Sequence, residues 1–160
     1  MQRGWTWLKT SLTGLDQIGT WLAPLALRLL LAYEFWQSGV EKFAGDNWFH
    51  EIRDRFPFPL HLLPVELSWQ VAIWLELLGA AALVMGLGTR IVSLGLSLLT
   101  VVAWVSVHAG LGYNVCDNGW KLPLIYLVLF LPLIFSGPGR LSLDALIRDR
   151  FLRGERRIWG

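Results

Sequence analysis

The stretch Leu25–Phe43, LALRLLLAYEFWQSGVEKF, constrains the fold of this chain most. It is long and apolar enough to cross a bilayer, yet it carries Arg28, Glu34, Gln37, Glu41 and Lys42. A charge at the bilayer centre costs about 2.5–3.5 kcal/mol on insertion scales, so such side chains are rarely left facing lipid. A helix this polar needs other helices around it. The rest of the chain agrees: 54% of residues are hydrophobic and 16% charged, with a mean hydropathy of +0.49. Soluble domains carry about 25% charged residues. The balance indicates one integral membrane domain. Ten tryptophans point the same way, because indole rings favour the membrane–water interface. The single cysteine, Cys116, excludes a disulfide within the chain. Arg3 and Lys9 precede an apolar run as in a signal peptide, but the run is too long and lacks an A-x-A site, so cleavage is not expected.

Four spans are expected. Residues 1–20 place Trp5, Leu8, Leu12 and Leu15 on one stripe, opposite Lys9, Ser11 and Thr13, which suits a short helix lying in the interface. The first span runs from about Trp21 to Phe43, with Pro24 in its first turn. Glu34 then lies about 15 Å in, near mid-depth; Arg28 snorkels to the near surface; Glu41 and Lys42 reach the far one. In the loop 44–64, Trp48, Phe49, Ile52 and Phe56 form an apolar stripe read as a surface helix, broken by Phe56-Pro57-Phe58-Pro59. The second span, about Pro64 to Gly86, holds Glu76 near mid-depth and the small residues Gly79–Ala82 beyond it. Gly86-Leu87-Gly88-Thr89-Arg90 is a tight turn in which Thr89 is expected to cap the third span, about Ile91 to Ala109. The fourth span, about Trp120 to Ser136, is short and contains Pro132. Ser142 is expected to cap a last, basic helix suited to anionic lipid. The segments are therefore 1–20 interfacial, 21–137 four-span and 138–160 a basic amphipathic tail.

Nine Lys and Arg residues lie on the side of the termini and Arg90: Arg3, Lys9, Arg90, Arg140, Arg148, Arg150, Arg153, Arg156 and Arg157. The other side has Arg53, Arg55 and Lys121, with Lys42 at the border. The positive-inside rule then puts both termini in the cytoplasm.

Glu34 and Glu76 are the leading candidates for chemistry. A mid-membrane acid can hold or relay a proton, or accept a hydrogen bond from a quinone; alternatively it fixes helix register in an ion pair. Arg28 and Arg90 suit an anionic group or orientation by charge. On the outer side, His50, His61, His108, Cys116 and Asp117 offer imidazole and thiolate donors for copper or zinc, without any C-x-x-C or H-x-x-x-H spacing. His108 and Cys116 are the metal candidates. There is no dinucleotide fingerprint, phosphate loop or H-E-x-x-H, and one histidine near a span cannot supply a bis-His haem. No intrinsic cofactor is expected. Nothing favours nucleic acid, since lipid accounts for the basic tail. Small-residue pairs such as Ser93/Ser97 and Ala82/Gly86 suit a homodimer or packing within the bundle.

LALRLLLAYEFWQSGVEKF, WLELLGAAALVMGLGTR and NGWKLPLIYLVLFLPLIFSGPGRLSLDALI together resemble the DoxX/DoxD family over about residues 21–147. Arg28, Gly39, Lys42, Glu76, Gly79 and Arg90 match shared motif positions; Glu34 and Cys116 do not. The resemblance implies an all-α, antiparallel four-helix bundle in the bacterial inner membrane. It also implies a redox setting, since the family takes its name from the small membrane subunit of a thiosulfate:quinone oxidoreductase. Other members accompany redox-defence complexes or copper-peptide maturation. The leading expectation is a membrane subunit or accessory protein of a quinone-linked oxidoreductase, with Glu76 and Glu34 handling protons or the quinone head, and Arg28, Glu41, Lys42 and Arg90 binding ligand. Its partners would be membrane lipid and a soluble or membrane redox subunit. The alternative is a non-enzymatic scaffold or metal carrier.

Overall fold

Helix α1 (Gln2–Ala44) is continuous. Pro24, expected in a first turn, lies inside it. Its ring removes the N–H that would meet the Thr20 carbonyl, and the chain returns to cover this spot: a Cβ on Gly139 would sit 2.9 Å from Pro24 and 3.4 Å from the Thr20 oxygen. The computed structural model describes the backbone of residues 2–158 and the side chains of residues 13 and 15–151. The expected stripe of Trp5, Leu8 and Leu12, and the side chains of Arg153, Arg156 and Arg157, lie outside the described residues.

The described elements are all helical. A one-turn α2 (Phe49–Ile52) and two 3₁₀ turns, Arg53–Arg55 and Leu60–Leu62, lead into α3 (Val65–Met85). Next come α4 (Thr89–Ala103), which widens to a π-turn over Trp104–His108, then α5 (Lys121–Phe135) and α6 (Leu143–Ile158). Helix α1 packs on α3, α3 on α4, α4 on α5, and α5 back on α1. Consecutive members run antiparallel, closing a four-helix ring. Its near end carries Thr20, the α3–α4 turn and Gly137–Gly139; its far end carries Lys42, residues 45–64 and His108. Three stretches are long and apolar enough to cross a membrane: Leu15–Ala44, Val65–Met85 and Thr89–His108. Helix α5 is apolar but shorter.

Apolar side chains facing lipid gain little by meeting each other, so close packing must hold such helices together. Gly39 and Gly79 allow it. A Cβ on Gly39 would lie 2.8 Å from Leu77, and one on Gly79 would lie 3.1 Å from Leu96. The near half of the interior is filled by Leu31, Phe35, Leu83, Leu96, Phe130 and Leu133. Ser93 is fully buried there, so the Ser93/Ser97 pair packs inside the bundle at its first member.

The loop 44–64 departs from the expected surface helix. Phe49 and Phe56 turn inward, both 8% exposed, and stack edge-on with each other and, for Phe49, with Trp69 at 4.9 Å. The apolar stripe therefore plugs the far end of the ring instead of lying on lipid. Thr89 is not the cap of α4 either. The Asp144 carboxylate, from α6, accepts the Gly88 and Thr89 amides at 2.7 and 3.0 Å. Ser142 does cap α6, accepting the Ala145 amide at 3.1 Å.

Candidate functional site

Ser38 and Lys42 are one turn apart on α1, so they share the face that meets α3. Glu76 on α3 arrives at their level. Lys42 Nζ donates to both Glu76 oxygens at 2.9 Å and to Ser38 Oγ at 2.6 Å. The Ser38 hydroxyl stands 3.3 Å from Glu76 Oε1. Lys42 was expected at the far surface; its long stem instead folds back, leaving its side chain 16% exposed and that of Glu76 6%. The ammonium thus accompanies the carboxylate into the bundle, which is how a buried charge is tolerated.

Glu34 lies two turns before Lys42 on the same face of α1. It does not touch Glu76. Tyr126 of α5 donates its hydroxyl to Glu34 Oε2 at 2.7 Å, and the Tyr126 ring leans on Phe35 at 6.0 Å. The two acids expected near mid-depth are therefore each held by a different partner, yet both open onto one cavity.

That cavity has a volume of about 880 Å³ and occupies the far half of the ring. Glu34, Ser38, Glu41, Lys42, Glu76 and Tyr126 supply its polar wall; Trp48, Phe49, Phe56 and Trp69 supply an aromatic one. Ser68 also lines it, and its buried hydroxyl has no hydrogen-bond partner among the described residues. His108 lines the rim, with Nδ1 2.6 Å from the Asn118 carbonyl. A carbonyl can only accept, so Nδ1 carries the hydrogen. A mostly apolar cavity with a few convergent polar groups is the usual form of a small-molecule site.

The other candidates lie elsewhere. Arg28 does not snorkel to the surface. It is 1% exposed at the near end, where Nη2 donates to the Leu141 carbonyl at 2.5 Å, with the Asp144 charge acting on it. Arg90 is exposed at that end, with Nη2 3.4 Å from the Phe135 carbonyl. Cys116 is an exposed free thiol on a short 3₁₀ turn and does not line the cavity. Among the described residues no group of three or more His, Cys, Asp and Glu side chains could hold a metal ion. Ser38, Tyr126 and Asp144 were not among the expected site residues. Tyr126 had a signal, being the one hydroxyl-bearing side chain in the apolar run Leu122–Phe135; a buried tyrosine needs a partner for its O–H. Asp144 had none, since its role is to cap a helix distant in sequence.

Three helices long and apolar enough to cross a membrane, packed with a shorter apolar fourth around a charged, aromatic-walled cavity, are the architecture of a helical membrane protein. The sequence model of the DoxX family matches residues 23–109, and the chain belongs to that family. It is 54% identical over 131 residues to an uncharacterized protein of Haemophilus influenzae (strain ATCC 51907 / DSM 11121 / KW20 / Rd), covering 82% of this chain and 87% of the relative. A second uncharacterized protein of the same strain is 33% identical over 129 residues, covering 74% and 85%. No solved structure matches.

Proposed function

We propose that this DoxX protein is the membrane subunit of a quinone-linked redox system of the bacterial inner membrane, with both termini in the cytoplasm and the far-end cavity as its quinone site. The single observation that carries the reading is the composition of that cavity. Cationic Lys42 and the Tyr126 hydroxyl line one cavity with Trp48, Phe49, Phe56 and Trp69, and two carboxylates stand beside them. A quinone head needs that combination. Its flat ring stacks on aromatic side chains, its carbonyl oxygens accept hydrogen bonds, and its reduction to quinol takes up two electrons and two protons. The electrons come from a soluble or membrane redox partner. Glu34 and Glu76 are placed to pass protons, and Lys42 and Ser38 to hold one carbonyl oxygen.

The test uses the cavity's own tryptophans. Purified protein in neutral detergent is titrated with a water-soluble ubiquinone analogue while Trp emission is followed. Saturable quenching is expected, with binding weakened about tenfold or more in Lys42→Met/Glu76→Gln, the value of one or two charge-assisted hydrogen bonds. Linear quenching without saturation, unaltered in the variant, would sink the reading.

A further inference from the structure

The opposite end of the bundle carries a second concave site that the redox reading does not use. It has a volume of about 470 Å³ and is framed by Arg90 of α4, Arg140 of the α5–α6 connection and Arg148 of α6. Among the described residues none of the three forms a salt bridge. The one carboxylate in the wall is Asp144, and both its oxygens already accept backbone amides, those of Gly88 and Thr89. The site is therefore a cluster of three guanidinium groups, none in a salt bridge, against a single carboxylate, and guanidinium is the side chain best matched to phosphate oxygens.

Two observations say where the phosphate comes from. Arg140 lies over the Trp21 ring at 5.6 Å, so the site sits at the level of an exposed indole, as expected of a membrane border. The wall includes Ile91, 80% exposed, and Arg90 reaches the carbonyl of Phe135, whose side chain is 75% exposed. Large apolar side chains left bare on residues of the pocket and its border suit acyl chains; a free phosphate would gain nothing from them. Helix α6 continues the pattern with exposed Leu146, Ile147 and Phe151 among its arginines.

We propose that this pocket binds the phosphate headgroup of an anionic phospholipid, with Arg90 and Arg148 as the main phosphate ligands and Ile91 and Phe135 against the acyl chains. The headgroup ties α4, the α5–α6 connection and α6 to the leaflet at the near end. The inference is independent of the quinone reading.

The test is native mass spectrometry of the full chain released from neutral detergent, titrated with short-chain phosphatidylglycerol, phosphatidylcholine or inorganic phosphate. One phosphatidylglycerol is expected to bind ahead of phosphatidylcholine. Arg148→Gln and Arg90→Gln should each weaken it about fivefold, the value of about 1 kcal/mol per basic side chain at an anionic surface. Arg148→Lys should retain most of the preference. Arg148 is exposed on α6 and makes no hydrogen bond or ion pair with the described residues, so Arg148→Gln reads binding without a folding defect. Equal binding of the two lipids, wild-type preference in both Gln variants, or displacement of the lipid by millimolar phosphate would each overturn the proposal.

Discussion

At the scale of single residues, Lys42 and Glu76 are unequal partners. Glu76 is the more enclosed of the two, its side chain on α3 6% exposed, whereas Lys42, 16% exposed, is near the far surface and its flexible stem can turn outward. Removing one member of a buried ion pair costs about 3–5 kcal/mol when the other charge stays trapped. Lys42→Met should therefore destabilise by about that much, and Glu76→Gln by clearly less. Adding Glu76→Gln to Lys42→Met should recover most of the loss. Thermal unfolding of the four proteins in one neutral detergent checks this cycle; equal losses for the two single variants would contradict the asymmetry. The pairing was only half legible in the sequence. The charges and their spans were visible, and Glu76 stood out as an acid that must be enclosed. Which cation would enclose it was not visible, because lysine reach depends on how far α1 and α3 overlap, and Gly39 sets that by admitting Leu77.

At the scale of elements, the near end is held by groups that meet across long sequence distances. Gly86 ends α3 in the left-handed region, φ 69°, and its amide and carbonyl serve both the helix end and α6, where the Asp144 amide donates to the Gly86 oxygen at 3.0 Å. A methyl group on Gly86 would overlap Arg28 Nη1 and come within 2.5 Å of Ser142 Cβ. Gly88 has a similar backbone, φ 56°, but nothing within 4 Å of a Cβ. Gly88→Ala should thus lose only the left-handed conformational cost, about 1–2 kcal/mol. Gly86→Ala should lose that plus an overpacking cost of about 1–3 kcal/mol, because Arg28 has nowhere to go. The difference between their unfolding midpoints measures how tightly Arg28 is locked; identical midpoints would mean the lock is loose. The helix ends at Gly86 and Ser142 were readable because they rest on local chemistry. The capping of α4 by Asp144 of α6, the inward turn of Phe49 and Phe56 and the burial of Arg28 were not. Each depends on which surface another segment leaves uncovered, and a periodic pattern cannot tell an apolar face that meets lipid from one that meets protein.

For the molecule as a whole, the remaining issue is how the ring sits in the bilayer. Helix α3, with 21 residues, reaches about 32 Å at 1.5 Å per residue, enough for a hydrocarbon core of about 30 Å. Helix α5, with 15 residues, reaches only about 22 Å. Its ends are extended by aromatic and turn residues: Trp120 stacks on Trp104 at 5.4 Å at the far end, and Gly139 covers Pro24 at the near one. Trp and Tyr belong at such borders, so the shorter helix can cross where the bilayer thins or its neighbours shield it. Whatever the tilt, Thr20 and Arg140 line the same pocket, so the chain enters and leaves the ring on one side. The excess of Lys and Arg on that side supports the proposed cytoplasmic placement through the positive-inside rule. Cys116, the only cysteine and exposed on the far loop, reports the outcome directly. In intact spheroplasts a membrane-impermeant maleimide should label it from outside. In a Cys116→Ser background, a cysteine in place of the exposed near-end Ser136 should react only after permeabilisation. The reverse pattern would invert the protein and place the Lys42–Glu76 cavity toward the cytoplasm, against the proposed orientation. Labelling of both positions from outside would mean that α5 does not cross at all.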